Sequence, residues 1–352
     1  MREFASRSIW ADGIRLHVVD EGEGPVVMLI HGFPESWYSW VNQIEALTAA
    51  GYRVLVPDMR GYGRSSKPVE VEAYRVSELV GDCVRILDAL GVATASIVGH
   101  DWGAPIAWVA AWTRPDRFTA VVGMSVPFGG RSLVPVAGAG SFGHERPSEV
   151  HKAIVGDSGK LFYQEHYSLP HAIADELEPD PWRWLASMAY TFSGDFPPAD
   201  YVPLDVFTAT PAQVIELTRA SEACIPVGGR MSDNFVLPDV LPPWLAESID
   251  YYADSFARSG IQAPLNWYRA MDLSWEELAP FQDRPLTVPA LFIGSDLDVV
   301  TLWGAEAIAA LGDLTTSTHE VVILERCGHW MMREKPAEVN AALLDFLGRV
   351  AR

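Results

Sequence analysis

The stretch that most constrains this chain is residues 95–111. There a short β-rich run, Ser96-Ile97-Val98, ends in Gly99, and an alanine-rich helical pattern begins a few residues later. A buried strand that must turn at once into a helix is the context of the nucleophile elbow, a Gly-x-Ser-x-Gly turn that lifts one side chain above a sheet. Here the pattern is Gly99-His100-Asp101-Trp102-Gly103, so an aspartate holds the tip. Gly99 and Gly103 bring no Cβ into the tight turn, and Ala107, Ala110 and Ala111 let the helix lie close to the sheet. An ordinary Asp has a pKa of about 3.9 and is ionised at neutral pH. It therefore needs no base to become a nucleophile. A turn aspartate also commonly caps a helix, and Gly-x-Asp-x-Gly alone does not separate the two roles.

The rest of the chain supplies the sheet that such a turn requires. Asp12-Gly13 between residues 9–10 and 14–19 reads as a two-residue hairpin turn. Val26–Ile30 is an unbroken apolar run, as expected of a strand buried on both faces. It ends in His31-Gly32-Phe33-Pro34. Residues 53–56 read as another buried strand, before Pro57-Asp58-Met59-Arg60-Gly61-Tyr62-Gly63. Val76, Leu79, Val80, Cys83, Val84, Leu87 and Leu90 recur at helical spacing, with Gly91 as a stop. Residues 120–126 read as one more strand.

After Pro127 the pattern changes. From Phe128 to about Trp275 the chain is rich in Gly, Pro and aromatics, with helical candidates at 182–190 and 244–259 and no buried strand pattern. Strand character returns at 288–293, before Gly294-Ser295-Asp296-Leu297-Asp298. A helix near 305–311, a strand over His319–Leu324, the loop Cys327-Gly328-His329-Trp330 and a closing helix over 336–347 follow. Alternating strands and helices predict an α/β chain with a doubly wound, mostly parallel sheet and an inserted helical cap. The expected divisions are a first core part over 1–128, a cap over 129–275 and a second core part over 276–352.

Composition bounds the function. The chain has 352 residues, 49% of them hydrophobic, which suits one large core carrying an insertion. A net charge of −20 argues against nucleic acid and anionic membrane surfaces as partners. Cys83, Cys224 and Cys327 have no metal-ligand spacing. They predict reduced thiols and a cytoplasmic protein, and with no metal cluster, P-loop or complete dinucleotide-binding glycine pattern neither metal nor cofactor is expected. No signal-peptide pattern and no apolar run of about 18 residues is present.

In a doubly wound sheet, sites lie past the carboxyl ends of strands, and Asp101, Asp298 and His329 each follow one. The order nucleophile, acid, histidine is that of the α/β-hydrolase fold. His329 is the expected base. Asp298 and Asp296 both follow the right strand, and Asp298 is the expected partner of His329. Alkylation of Asp101 would give an ester whose carbonyl carbon is attacked by water activated by His329. The oxyanion hole must then serve the enzyme's own carboxyl oxygen, with the N–H groups of Phe33 and Trp102 as expected donors. Phe33–Pro34 is a candidate cis bond. Trp37, Phe33, Trp102 and His100 are expected around the substrate. A halide leaves without a proton, whereas an epoxide oxygen needs a donor, for which a tyrosine serves. Tyr163 and Tyr268 are candidates, and composition does not separate them from Tyr167, Tyr190, Tyr251 and Tyr252.

Three motifs in order, His31-Gly32-Phe33-Pro34-Glu35-Ser36-Trp37, Gly61-Tyr62-Gly63-Arg64-Ser65-Ser66 and Gly99-His100-Asp101-Trp102-Gly103-Ala104, resemble those of the epoxide hydrolases of α/β-hydrolase fold. The resemblance spans nearly the whole chain. It implies an Asp nucleophile at Asp101, a His–Asp pair at His329 and Asp298, and two cap tyrosines at Tyr163 and Tyr268. It also implies a small-molecule epoxide as partner, and it alone suggests a homodimer. The alternative is a dehalogenase using the same carboxylate. Phe33 stands where many haloalkane dehalogenases carry Asn or Glu, and paired phenols have no use with a halide. A non-enzymatic receptor of this fold would have a damaged triad, and all three residues are present.

Overall fold

The structure, a computed structural model, describes residues 4–138, 143–198 and 200–350. Its centre is an eight-stranded sheet in the order β1-β2-β4-β3-β5-β6-β9-β10, formed by β1 (Ser6–Ala11), β2 (Ile14–Glu21), β3 (Val26–Ile30), β4 (Arg53–Asp58), β5 (Ala95–His100), β6 (Phe118–Met124), β9 (Ala290–Ser295) and β10 (His319–Leu324). The first two strands pair antiparallel through the Asp12-Gly13 turn, where both residues have positive φ. From β4 onward every neighbour is parallel. β3, β5 and β6 are neighbours paired in parallel, so their carboxyl ends lie along one edge.

The apolar runs form strands because helices cover both faces. Val76–Ala89 and Gly103–Thr113 pack on one side with Leu16, Val18, Met28, Ile30 and Ile97. On the other side Val41–Ala49 and Pro336–Val350 bury Val27, Leu29, Val98 and Val122. The Gly103–Thr113 helix is apolar all round because it is enclosed all round: Gly103 through Trp112 are buried. Its approach to the sheet depends on Gly123, since a Cβ there would enter the Trp108 ring.

Between β6 and β9 the chain adds mostly helices, among them Pro147–Val155, Tyr163–Ser168, Pro181–Thr191, Ile249–Ser259 and Gln262–Arg269. Two expectations change here. The stretch does contain strands: β7 (Lys160–Phe162) and β8 (Cys224–Pro226) pair antiparallel. Three residues are too few to leave a period-two pattern in the sequence. The single helix expected over 244–259 divides into Pro243–Ala246 and Ile249–Ser259, with Gly260 closing the second at φ +68°. Elsewhere strand ends shift by two residues: 120–126 becomes Phe118–Met124, and 288–293 becomes Ala290–Ser295. Cys83, Cys224 and Cys327 are buried free thiols. Among the described residues, no helix is long and apolar enough to cross a membrane.

Candidate active site

Asp101 stands immediately past β5 with φ +50°. A non-glycine residue seldom adopts that conformation, and the packing around the turn enforces it. A Cβ on Gly99 would strike the Gly103 carbonyl, and one on Gly103 would strike the carbonyl of Ile30. The turn can therefore close only on glycine at both places. Gly32 is constrained from the opposite side, because a Cβ there would run into the Asp101 carboxylate. Its absence brings the Phe33 N–H to 2.7 Å from Asp101 Oδ1. The Phe33–Pro34 peptide is cis. No described residue accepts from the Trp102 N–H, so that donor stays open beside the carboxylate.

His329 follows β10 and turns its ring toward Asp101, with Nε2 3.6 Å from Oδ2. Its Nδ1 lies 3.1 Å from Asp298 Oδ1 and 3.3 Å from Ser125 Oγ. Asp298 caps the helix Val299–Trp303 through the Val300 N–H at 3.1 Å and accepts from Thr301 Oγ1 at 3.2 Å. Burial alone would raise the Asp298 carboxyl, but the facing imidazole, the Ser125 hydroxyl and the Val300 N–H hold it below the usual carboxylate range. Burial likewise opposes charge on His329, yet the two carboxylates outweigh it and raise the imidazole well above its ordinary value. Asp296 points elsewhere, accepting from the backbone of Arg326 and Cys327 at 3.0 and 3.3 Å.

The loop carrying His329 is fastened on two sides. Its N–H donates to the Phe192 carbonyl at 2.9 Å. The half-buried Glu334 carboxylate collects the N–H groups of Gly194, Gly328 and Trp330 at 2.8–3.0 Å. Beneath, His100 Nε2 reaches the His329 carbonyl at 2.8 Å and Nδ1 reaches Glu35 at 3.1 Å. Burial alone would raise the Glu35 carboxyl, but His100 and the Gly32 N–H hold it down.

A cavity of about 450 Å³ opens over Asp101 and His329. Tyr163, Tyr167 and Tyr268 all line it. Tyr268 lies edge-on to Phe33 and to Trp102, with ring centroids 5.3 and 5.1 Å apart. Tyr163 stacks on Trp303 at 5.5 Å, and its hydroxyl oxygen accepts from Gln164 Nε2 at 3.0 Å. Burial, reinforced by the Asp101 carboxylate, pushes the Tyr163 and Tyr268 phenols far above their ordinary range, so both stay protonated.

The structure thus brings together Asp101, His329, Asp298, Tyr163, Tyr268 and Phe33. It does not bring Trp37 or His100 to the cavity. Trp37 packs instead among Phe4, Tyr38 and Tyr251, and His100 is fully buried below the elbow. The Trp102 side chain faces Trp267 and Tyr268 rather than the cavity wall. No motif in the sequence points to Gln164 or Trp303, and composition leaves Tyr167 indistinguishable from the other tyrosines. Ser125 alone carried a faint signal, standing just past a strand end beside the elbow.

A mostly parallel sheet with a carboxylate at its elbow and a His–Asp pair facing it defines an α/β-hydrolase of the aspartate type. A family model described as "alpha/beta hydrolase fold" matches residues 25–143. The chain is 45% identical over 352 residues to Epoxide hydrolase B of Mycobacterium tuberculosis, covering 96% of both chains. It is 37% identical to Epoxide hydrolase A of that organism, covering 97% of this chain and 96% of the relative. Among solved structures, an epoxide hydrolase from an endophytic Streptomyces superposes with a TM-score of 0.84 at 39% identity, covering 98% of this chain and 95% of that one. The chain belongs to the epoxide hydrolases of α/β-hydrolase fold.

Proposed function

We propose that this protein hydrolyses an organic epoxide to a vicinal diol through a covalent ester on Asp101. The observation that carries the reading is the division of labour at one carboxylate. Oδ1 is held by the Phe33 N–H, while Oδ2 faces His329 and the cavity. Oδ2 attacks a ring carbon of the epoxide, and the C–O bond of the ring breaks. The departing alkoxide takes its proton from Tyr163 or Tyr268, both neutral by virtue of burial.

Ester formation removes the charge of Asp101, one of the two that hold the proton on His329. The imidazolium gives up its proton, which returns through solvent to the tyrosinate left by ring opening, and the neutral ring can then take a proton from water. Hydroxide adds to the Asp101 carboxyl carbon, and negative charge gathers on Oδ1. The Phe33 N–H and the open Trp102 N–H stabilise it there. Collapse breaks the ester, frees the diol and regenerates the carboxylate. Asp298 holds the imidazole with Nδ1–H turned away from the reaction.

The helical stretch 129–275 serves as a lid that carries the phenols over the core. The paired phenols favour an epoxide over a haloalkane, since a halide leaves without a proton. The buried, unpaired cysteines support a reducing, cytoplasmic setting. The test is to mix the protein with styrene oxide, quench within milliseconds and weigh the peptide that contains Asp101. A mass increase equal to the whole epoxide supports the reading. An unmodified peptide during turnover sinks it.

A further inference from the structure

The cavity's lining has a charge pattern that the hydrolytic chemistry does not require. Asp101, Asp298, Asp296 and Glu222 line it, and among the described residues neither lysine nor arginine does. Even with His329 as imidazolium, negative charge is in excess. Glu222 is exposed, and no described residue pairs with it. The rim is otherwise apolar. Phe196 is 42% exposed and Tyr201 51% exposed while both line the opening with Pro198. Asp195, Asp200 and Asp205 stand exposed beside these residues. Outside the lining, the Arg326 guanidinium donates to the Tyr201 carbonyl at 3.5 Å.

A carboxylate entering such a pocket gives up water, meets no lysine or arginine within it and approaches more negative charges than the one imidazolium offsets. A neutral aryl or alkyl group loses nothing comparable and gains the apolar wall. We infer that the cavity selects neutral epoxides with apolar substituents and rejects epoxides that carry a carboxylate, with Glu222 setting part of that discrimination at the rim. This rests on the hydrolase reading above and names its substrate class.

The experiment uses a matched pair, para-carboxyphenyl glycidyl ether and its para-carboxamide, which share size and ring but differ by one charge. Diol formation is followed for each in low-salt buffer at pH 8. The carboxamide is expected to show a kcat/KM at least tenfold higher. Raising the salt to about 0.3 M narrows the ratio, because screening shortens the reach of the rim charges. Glu222→Gln narrows it at least threefold at low salt, and Glu222→Lys narrows it further. Equal kcat/KM for the pair at low salt, with diol formed from both, overturns the inference and leaves the hydrolase reading standing. A ratio unmoved by salt and by both Glu222 variants also overturns it. No diol from either compound overturns both.

Discussion

The Phe33 N–H and the Asp101 carboxylate, 68 residues apart in the chain, meet at 2.7 Å through Oδ1 alone. Gly32 permits that approach, because a Cβ on it would occupy the space of the carboxylate. Gly32→Ala should therefore push the Asp101 carboxylate away from the Phe33 N–H while leaving every reacting group chemically intact. Loss of one oxyanion donor costs about 10²–10³ in kcat, so diol formation should fall by at least a hundredfold. The sheet has no part in this, and the thermal midpoint should move by only a few degrees. Steady-state assays and a thermal melt on the same variant check both halves.

Tyr163 and Tyr268 reach the cavity from the helices Tyr163–Ser168 and Gln262–Arg269. Each phenol lies far above its ordinary range because it is buried near Asp101. A proton donor in the transition state contributes about 10²–10⁴-fold. With two donors sharing one oxygen, Tyr163→Phe or Tyr268→Phe should slow alkylation by about tenfold to a hundredfold, and the double variant by more than either. Decay of the ester should be unchanged, because the phenols act before it. Stopped-flow fluorescence with a single turnover of epoxide separates the steps.

His329 carries the sign of the pH dependence. Burial favours its neutral form, but Asp298 and Asp101 together raise it, so the resting imidazole keeps its proton at neutral pH. Alkylation of Asp101 removes one of those charges, and the imidazole drops. Decay of the ester should therefore rise with pH through one ionisation, with a midpoint below that of the resting imidazole measured by NMR titration. A kinetic midpoint equal to or above the NMR value would contradict the coupling. His329→Gln should alkylate once and stop, with the ester persisting on the timescale of minutes.

The sequence made the elbow legible because two glycines and an ionisable tip leave little else for that turn to be. Asp298 and His329 were legible because strand ends are places where side chains meet. Trp37 and His100 were misplaced for a shared reason. Adjacency in a motif does not say which face of the turn a residue takes, and His100 precedes Asp101 yet points beneath it toward Glu35. Tyr163 and Tyr268 differ from Tyr190 or Tyr251 only in where their helices lie, which no local pattern encodes. Tyr167 shares the cavity with both, with its ring centroid 5.0 Å from that of Tyr268. The apolar rim formed by Phe196, Pro198 and Tyr201 reads in sequence as an ordinary proline-rich loop.

Ser125 is the buried group whose place the motifs did not reveal, and its geometry ties it to the pair rather than to the fold. It sits one residue past β6 at φ +70°, with its N–H on the Ile293 carbonyl at 2.9 Å. Its hydroxyl lies 3.3 Å from His329 Nδ1 and also helps to hold the Asp298 carboxyl down. Ser125→Ala leaves the positive φ no worse served, since neither residue favours it. What is lost is one hydrogen bond to a charged, buried partner, worth about 1.5–3 kcal/mol. With that donor gone, Asp298 holds His329 less firmly, and the ring spends less time aimed at the ester. Decay of the alkyl-enzyme should slow by roughly fivefold to twentyfold while alkylation keeps its rate, so the ester accumulates in the steady state. A residue that only filled space would lower the melting midpoint and leave the ratio of the two steps where it was.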